Sequence, residues 1–292
     1  MGMHGDDRPL VASRHLIYVG PQRSKQQRVQ IVCSLTLLNR QVFVRWKKEM
    51  IDTTPHPTWL EETLKTLKPL EERIINHSLF REFSAGRLSL DHIQRTLINF
   101  FPLIDTFPKF MALSLAKVPP GSSEWGVPRR WLIRNINQER LHSDWWKNLA
   151  VGFGIPATRF EDEIFCPPEL DAINNYLWRI CTHGSLAEGI AASNYAIEGP
   201  TGIWTKAIQD GFQCYADLPG VRINKKTLEW IVAHARYDDQ HPIEALEIIK
   251  LSATTKEDQA KVKRAVTRAL EYYAMALDSA FAFAPLVRRA AN

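Results

Sequence analysis

Apolar positions recur at helical spacing along most of the chain. From Thr58, residues Trp59, Leu60, Leu64, Leu67 and Leu70 follow one another at intervals of one to four and share a face as far as Asn76, which predicts an amphipathic helix. Ser89, shortly after Gly86, reads as the N-cap of a long apolar helix reaching Ala116, with kinks expected at Pro102 and Pro108 and a stop at Pro119-Pro120-Gly121. Further helices are predicted over 124–151, 169–198, 201–215, 226–251 and 256–283. Their ends are marked by Gly154-Ile155-Pro156, Gly199-Pro200, Leu218-Pro219-Gly220 and the polar stretch 252–255. No strand pattern and no internal repeat stands out after residue 50, so the expected architecture is an all-α bundle of about seven helices.

Residues 1–49 read differently. The stretch from Gln27 to Trp46 alternates loosely, as a strand would, and Met50 opens a segment that looks like a natural domain start. The expected organisation is an N-terminal extension over 1–49 and one helical domain over 50–292. Disorder, a mitochondrial-type presequence, a small strand and an upstream translation artefact are all open for the extension.

The chain has 292 residues, 45% of them hydrophobic and 24% charged, with nine Trp, the balance of a globular protein with a sizeable core. A net charge of +5 would suggest a nucleic-acid partner, but nine Lys/Arg against three Asp/Glu fall within residues 1–49. The remainder holds 28 against 29, so the main body carries no basic footprint and a nucleic-acid role loses its support. No run of about 18 apolar residues is present to span a membrane. Cys33, Cys166, Cys181 and Cys214 stand far apart with no C-x-x-C pair, and no secretory leader pattern opens the chain, so a reducing, cytoplasmic setting is expected.

Candidate chemistry lies in three short segments. In His234-Ala-Arg-Tyr-Asp238-Asp-Gln-His241, the positions i, i+4 and i+7 fall within a stripe about 60° wide on a helix. The flanking Trp230, Ile231, Ile248 and Ile249 make the helix apolar round much of its circumference, which turns that stripe toward protein rather than solvent. A buried carboxylate beside two imidazoles needs a partner or a metal. Glu139-Arg-Leu-His142 is an E-x-x-H pair, the arrangement by which di-iron carboxylate bundles present two ligands from one helix. Glu198, in Asn194-Tyr-Ala-Ile-Glu198-Gly-Pro, either ends one helix, where its charge would want a cation, or opens the next, where the helix dipole favours it. Pro242 either bends the helix so as to aim His241 at the site or separates His241 from it.

Taken together and in this order, these motifs resemble the haem-oxygenase-like di-iron oxidases and oxygenases, which share the fold of thiaminase II (TenA) and pyrroloquinoline-quinone synthase. The resemblance covers about residues 55–285, and Asn76-His77-Ser78-Leu79-Phe80-Arg81 with Gly86-Arg87-Leu88-Ser89 resembles the superfamily's first core helix and turn. It implies two metal ions, iron or alternatively manganese, held by Glu139, His142, Glu198, His234, Asp238 and His241, with dioxygen as co-substrate. The implied reaction is oxidation of a small organic molecule of fatty-acid, amino-acid or amine type in a cavity of the bundle. Phe101, Phe107, Tyr195 and Trp204 are candidates to line that cavity, and a homodimer is an assembly the resemblance allows. The alternative is a metal-free enzyme of the TenA or quinone-synthase branch, using the same groups as acids, bases and hydrogen-bonding partners on a small heterocyclic metabolite.

Overall fold

In the computed structural model, residues 51–121, 123–237 and 240–282 are described; the extension 1–49 and Asp238 lie outside them. Eleven α-helical segments follow one another: α1 Thr58–Ile75, α2 Ser78–Ser84, α3 Leu90–Leu115, α4 Ser123–Glu139, α5 His142–Gly152, α6 Pro168–His183, α7 Leu186–Ile190, α8 Glu198–Ile208, α9 Glu229–Tyr237, α10 His241–Ser252 and α11 Lys256–Ala282. No strand occurs among the described residues, and none of their helices is long and apolar enough to cross a membrane.

All seven predicted helical runs are present; three of them are interrupted, and the run over 201–215 begins at Glu198 and tightens into a 3-10 helix over Gln209–Tyr215. The run over 124–151 breaks at Arg140-Leu141 between α4 and α5, and that over 226–251 breaks between α9 and α10, where Pro242 takes a first-turn position that needs no N–H partner. The run over 169–198 breaks at Gly184. There Ser185 accepts from the Glu188 backbone N–H at 3.2 Å, while the Glu188 carboxylate accepts from the Ser185 N–H at 2.8 Å. This reciprocal cap satisfies two N–H groups at the start of α7. A single wide π-type turn, Ala191–Tyr195, continues α7, and α3 runs unbroken through both of its prolines.

The core sits between α3, α6 and α11, with Phe110, Met111, Ile173, Leu177, Ala269 and Leu270 sealed from solvent. Ser89 caps α3 by accepting from the His92 N–H at 3.1 Å, as its position before the apolar run predicts. Gly86 has φ +67° and lies so close to Cys214 that a Cβ there would meet the Cys214 Cβ at 2.7 Å. Only glycine satisfies both demands.

The segment before α1 is fastened to α10. Ile51 donates its N–H to Glu244 at 3.0 Å, Thr54 donates its N–H and hydroxyl to Glu247, and Lys250 donates to Thr54 at 2.8 Å. Glu244, buried, also accepts from Trp131 Nε1 at 2.8 Å and pairs with Arg134, both on α4. One carboxylate thus ties together α4, α10 and the chain leading into α1.

Candidate metal centre

Four helix ends and one helix interior meet at the candidate site. Glu139 closes α4, His142 opens α5, Glu198 opens α8, His241 opens α10, and His234 lies within α9. All five are buried. Glu139 and His142 are in close contact, the His142 and His234 rings lie 4.7 Å apart, and His241 Nδ1 is 3.0 Å from Glu198 Oε2. The Glu139 charge acts on both Glu198 and His241. Sequence spacing thus identifies five residues that the fold brings together; Asp238, the sixth, lies outside the described residues.

Three local arrangements differ from the sequence reading. Glu139 and His142 do not share a helix; they flank the junction of α4 and α5, where the chain turns and keeps them in contact. Glu198 takes the second of its two readings, in the first turn of α8, where the backbone N–H groups favour a carboxylate. The break before Pro242 places His241 on its own helix, so the i, i+7 geometry of one straight helix is not what carries His241 to Glu198.

Burial raises the Glu198 carboxyl above its usual range, and the Glu139 charge adds to this, against the opposing hydrogen bonds from His241 and Asn194. Burial opposes charge on His241, yet the hydrogen bond and charge of Glu198 outweigh it and raise this imidazole. The two groups lie within hydrogen-bonding distance, and each offsets part of the other's cost of burial. His234 is pushed well below the ordinary histidine range, first by burial and then by His142. Its Nδ1 lies 2.8 Å from the Trp230 carbonyl, which can only accept, so Nδ1 carries the proton and the ring lone pair resides on Nε2.

Asn194 opens the Glu198 segment in the sequence, where nothing assigns it a role. It is fully buried in the π-type turn and donates from Nδ2 to Glu198 Oε1 at 2.7 Å. Its spacing of four from Glu198 is the signal that could have found it. Trp230, four residues before His234 and stacked on it at 3.8 Å, was read only as core.

Glu139, His142, Glu198 and His234 form part of the wall of an interior cavity of about 90 Å³, room for several waters at roughly 10–15 Å³ each. Phe80, Phe100, Phe107, Trp146, Trp204 and Leu277 supply much of the rest, and the lining contains no Lys or Arg. Of the predicted aromatic lining, Phe107 and Trp204 face this cavity. Phe101 does not: one residue on from Phe100, about 100° round α3, it packs on Phe160 at 4.7 Å. Tyr195 does not either; the π-type turn directs it outward, where its hydroxyl donates to Glu71 at 2.8 Å.

The donor set is suited to a pair of iron or manganese ions, because carboxylates and neutral imidazoles match these ions and a dry wall favours a charged group that neutralises buried carboxylates. Among the described residues, no three His, Cys, Asp or Glu side chains are drawn together as a ready cage. Glu198 instead lies at hydrogen-bonding distance from His241, and Glu139 lies against His142, contacts that metal binding would displace.

Comparison with known proteins places the chain in a family. The sequence profile described as iron-containing redox enzyme, of the haem-oxygenase-like group, matches residues 94–274. Two curated relatives are named 4-aminobenzoate synthase: one from Chlamydia pneumoniae, 19% identical over 201 residues (66% of this chain, 82% of that protein), and one from Chlamydia muridarum, 22% identical over 204 residues (68% and 82%). The crystal structure of a TenA homologue from Pseudomonas syringae pv. tomato is 30% identical with a TM-score of 0.71, covering 80% of this chain and 99% of its own. A TenA homologue from Pyrococcus furiosus shares the fold at 15% identity and a TM-score of 0.61, covering 76% of this chain and 100% of its own. With the profile spanning well over half of its length, the chain belongs to the haem-oxygenase-like family of iron-containing redox enzymes.

Proposed function

We propose that the protein is a non-haem di-iron oxidase or oxygenase acting on a small organic molecule held in the interior cavity. The observation that carries this reading is that Glu139, His142, Glu198 and His234, all buried and from four helices, share the wall of an apolar cavity, with His241 of a fifth helix against Glu198. An enzyme that needed only hydrogen bonding to its substrate would have no use for so many buried ionisable groups, each costly to desolvate.

Glu139, His142, Glu198, His234, Asp238 and His241 would hold the two ions. Iron bound there supplies the reduction of dioxygen and the oxidation of the organic substrate. The chain's own residues do the rest. His234 keeps its proton on Nδ1 by donating to the Trp230 carbonyl, which fixes the ring and presents Nε2. Asn194 orients Glu198 through Oε1, and His241 meets its other oxygen. Phe100, Phe107 and Leu277 exclude water and accept the apolar part of the substrate, whether of fatty-acid, amino-acid or amine type. The chlamydial relatives are named 4-aminobenzoate synthase, so a 4-aminobenzoate-like product is among the outcomes this reading admits.

Elemental analysis after anaerobic iron loading tests the reading. About two iron or manganese ions per chain are expected. Less than a tenth of an equivalent of any transition metal would overturn it in favour of the metal-free branch.

A further inference from the structure

Three indole rings line the interior cavity, and their N–H groups are not used alike. Trp146 donates to the Leu97 carbonyl at 2.7 Å, and Trp204 donates to the Tyr273 hydroxyl at 2.8 Å. Trp230 is 2% exposed, and its Nε1 has no hydrogen-bond partner among the described residues. The ring is engaged by neighbouring rings: His234 stacks on it at 3.8 Å and 29°, Trp204 lies at 6.0 Å and 28°, and Trp146 meets it nearly perpendicularly at 4.7 Å. Trp230 is part of the cavity wall and stacks on His234, which lines the same cavity. A buried donor left unmade is unfavourable, and the two neighbouring indoles show that this fold can satisfy such groups from its own chain.

Resting on the reading of this cavity as the substrate site, we propose that Trp230 is a substrate-binding donor and that the substrate carries a hydrogen-bond acceptor oxygen. The indole N–H only donates, so the group it meets is a carbonyl, ether, hydroxyl or carboxylate oxygen and not a protonated amine. With no Lys or Arg in the lining, the wall recognises that oxygen by hydrogen bonding and not by charge. The acceptor then sits next to His234, which sets the reacting part of the molecule at the His/Glu end and its apolar remainder against Phe100, Phe107 and Leu277.

A matched pair of probes separates this from simple apolar packing. Acetophenone and α-methylstyrene have nearly the same shape and differ in a carbonyl oxygen against a methylene. Calorimetric titration of the full-length protein under anaerobic conditions should show acetophenone binding about tenfold more tightly, the worth of one hydrogen bond to a buried donor. In Trp230→Phe, which keeps a stacked ring and removes the N–H, that ratio should fall to about one. Equal affinities in the unsubstituted protein, a ratio that persists in Trp230→Phe, or binding of neither probe would overturn the proposal; the first of these needs no variant to fold. Neither iron nor oxygen enters the measurement, so a negative metal analysis would sink the di-iron reading and leave this one standing.

Discussion

Glu244 offers the sharpest test of how the site is held. It lies three residues after His241 and is 1% exposed, with its carboxylate accepting from Trp131 Nε1 and the Ile51 N–H and pairing with Arg134. Glu244→Ala removes the carboxylate that Arg134 and Trp131 share. Breaking a buried ion pair costs about 3–5 kcal/mol, and Arg134, whose side chain is 16% exposed, can recover some hydration, which places its share near 3 kcal/mol. The Trp131 N–H, sealed from water, adds about 1–2 kcal/mol. A loss of about 4–5 kcal/mol is a large part of the ~5–15 kcal/mol that holds a domain together. In urea titration followed by circular dichroism, with a slope of ~3 kcal/mol per molar, the midpoint should fall by about 1.5 M. Glu244→Gln keeps an acceptor for Trp131 and should lose roughly half as much. A midpoint shift below about 0.3 M for Glu244→Ala, or equal shifts for the two variants, would refute the view that this carboxylate joins α4 to α10.

Asn194→Ala should lower iron affinity by about 10–100-fold with helix content unchanged, because Glu198 loses the donor at Oε1; metal-buffered titration with elemental analysis checks it. Asp238→Ala should abolish iron retention and oxygen uptake, whereas Asp239→Ala, at a neighbouring carboxylate outside the ligand set, should leave both near normal. A chain beginning at Met50 should melt as the full chain does, while one beginning at Thr58 loses the bonds from Ile51 and Thr54 to α10 and should melt several degrees lower in calorimetry. Burial works to raise Glu247, but Lys250 and Thr54 outweigh it and hold the carboxyl below its usual value. Its contribution is therefore present above the ordinary carboxylate range and lost as pH falls through the lowered value, so Glu247→Gln should flatten the acid side of the stability profile.

The helices were legible because each buries one face, and a 3.6-residue repeat of apolar positions records that directly. The breaks were less so. Ser185-Leu-Ala-Glu188 is a written capping signal inside an apolar run, and the continuous periodicity masked it. Nothing local marks the junction at Arg140-Leu141, which lies between two helices packed on α3, so only the assembled bundle decides it. The convergence of Glu139, His142, Glu198, His234 and His241 was visible because buried titratable groups are rare on apolar helices. Which aromatics face the cavity was not, because Phe100 and Phe101 have the same chemistry and differ only in azimuth. Asn194 and Trp230 stayed hidden for a related reason: an amide and an indole look structural until the groups they touch are known.

The wide turn at Ala191–Tyr195, where the Ala196 N–H reaches back five residues to Ala191 at 3.1 Å, acts as a phase shift. A single surplus residue advances everything downstream by about 100° relative to an uninterrupted helix. The stretch before it and the stretch after it are therefore indexed independently, the former against the core and the latter against the site. In relatives that gain or lose one residue here, the face presented by the preceding helix would be preserved while Glu198 moved out of line with its partners. The length of this turn, more than its composition, sets the azimuth at which this chain presents Glu198 to His241.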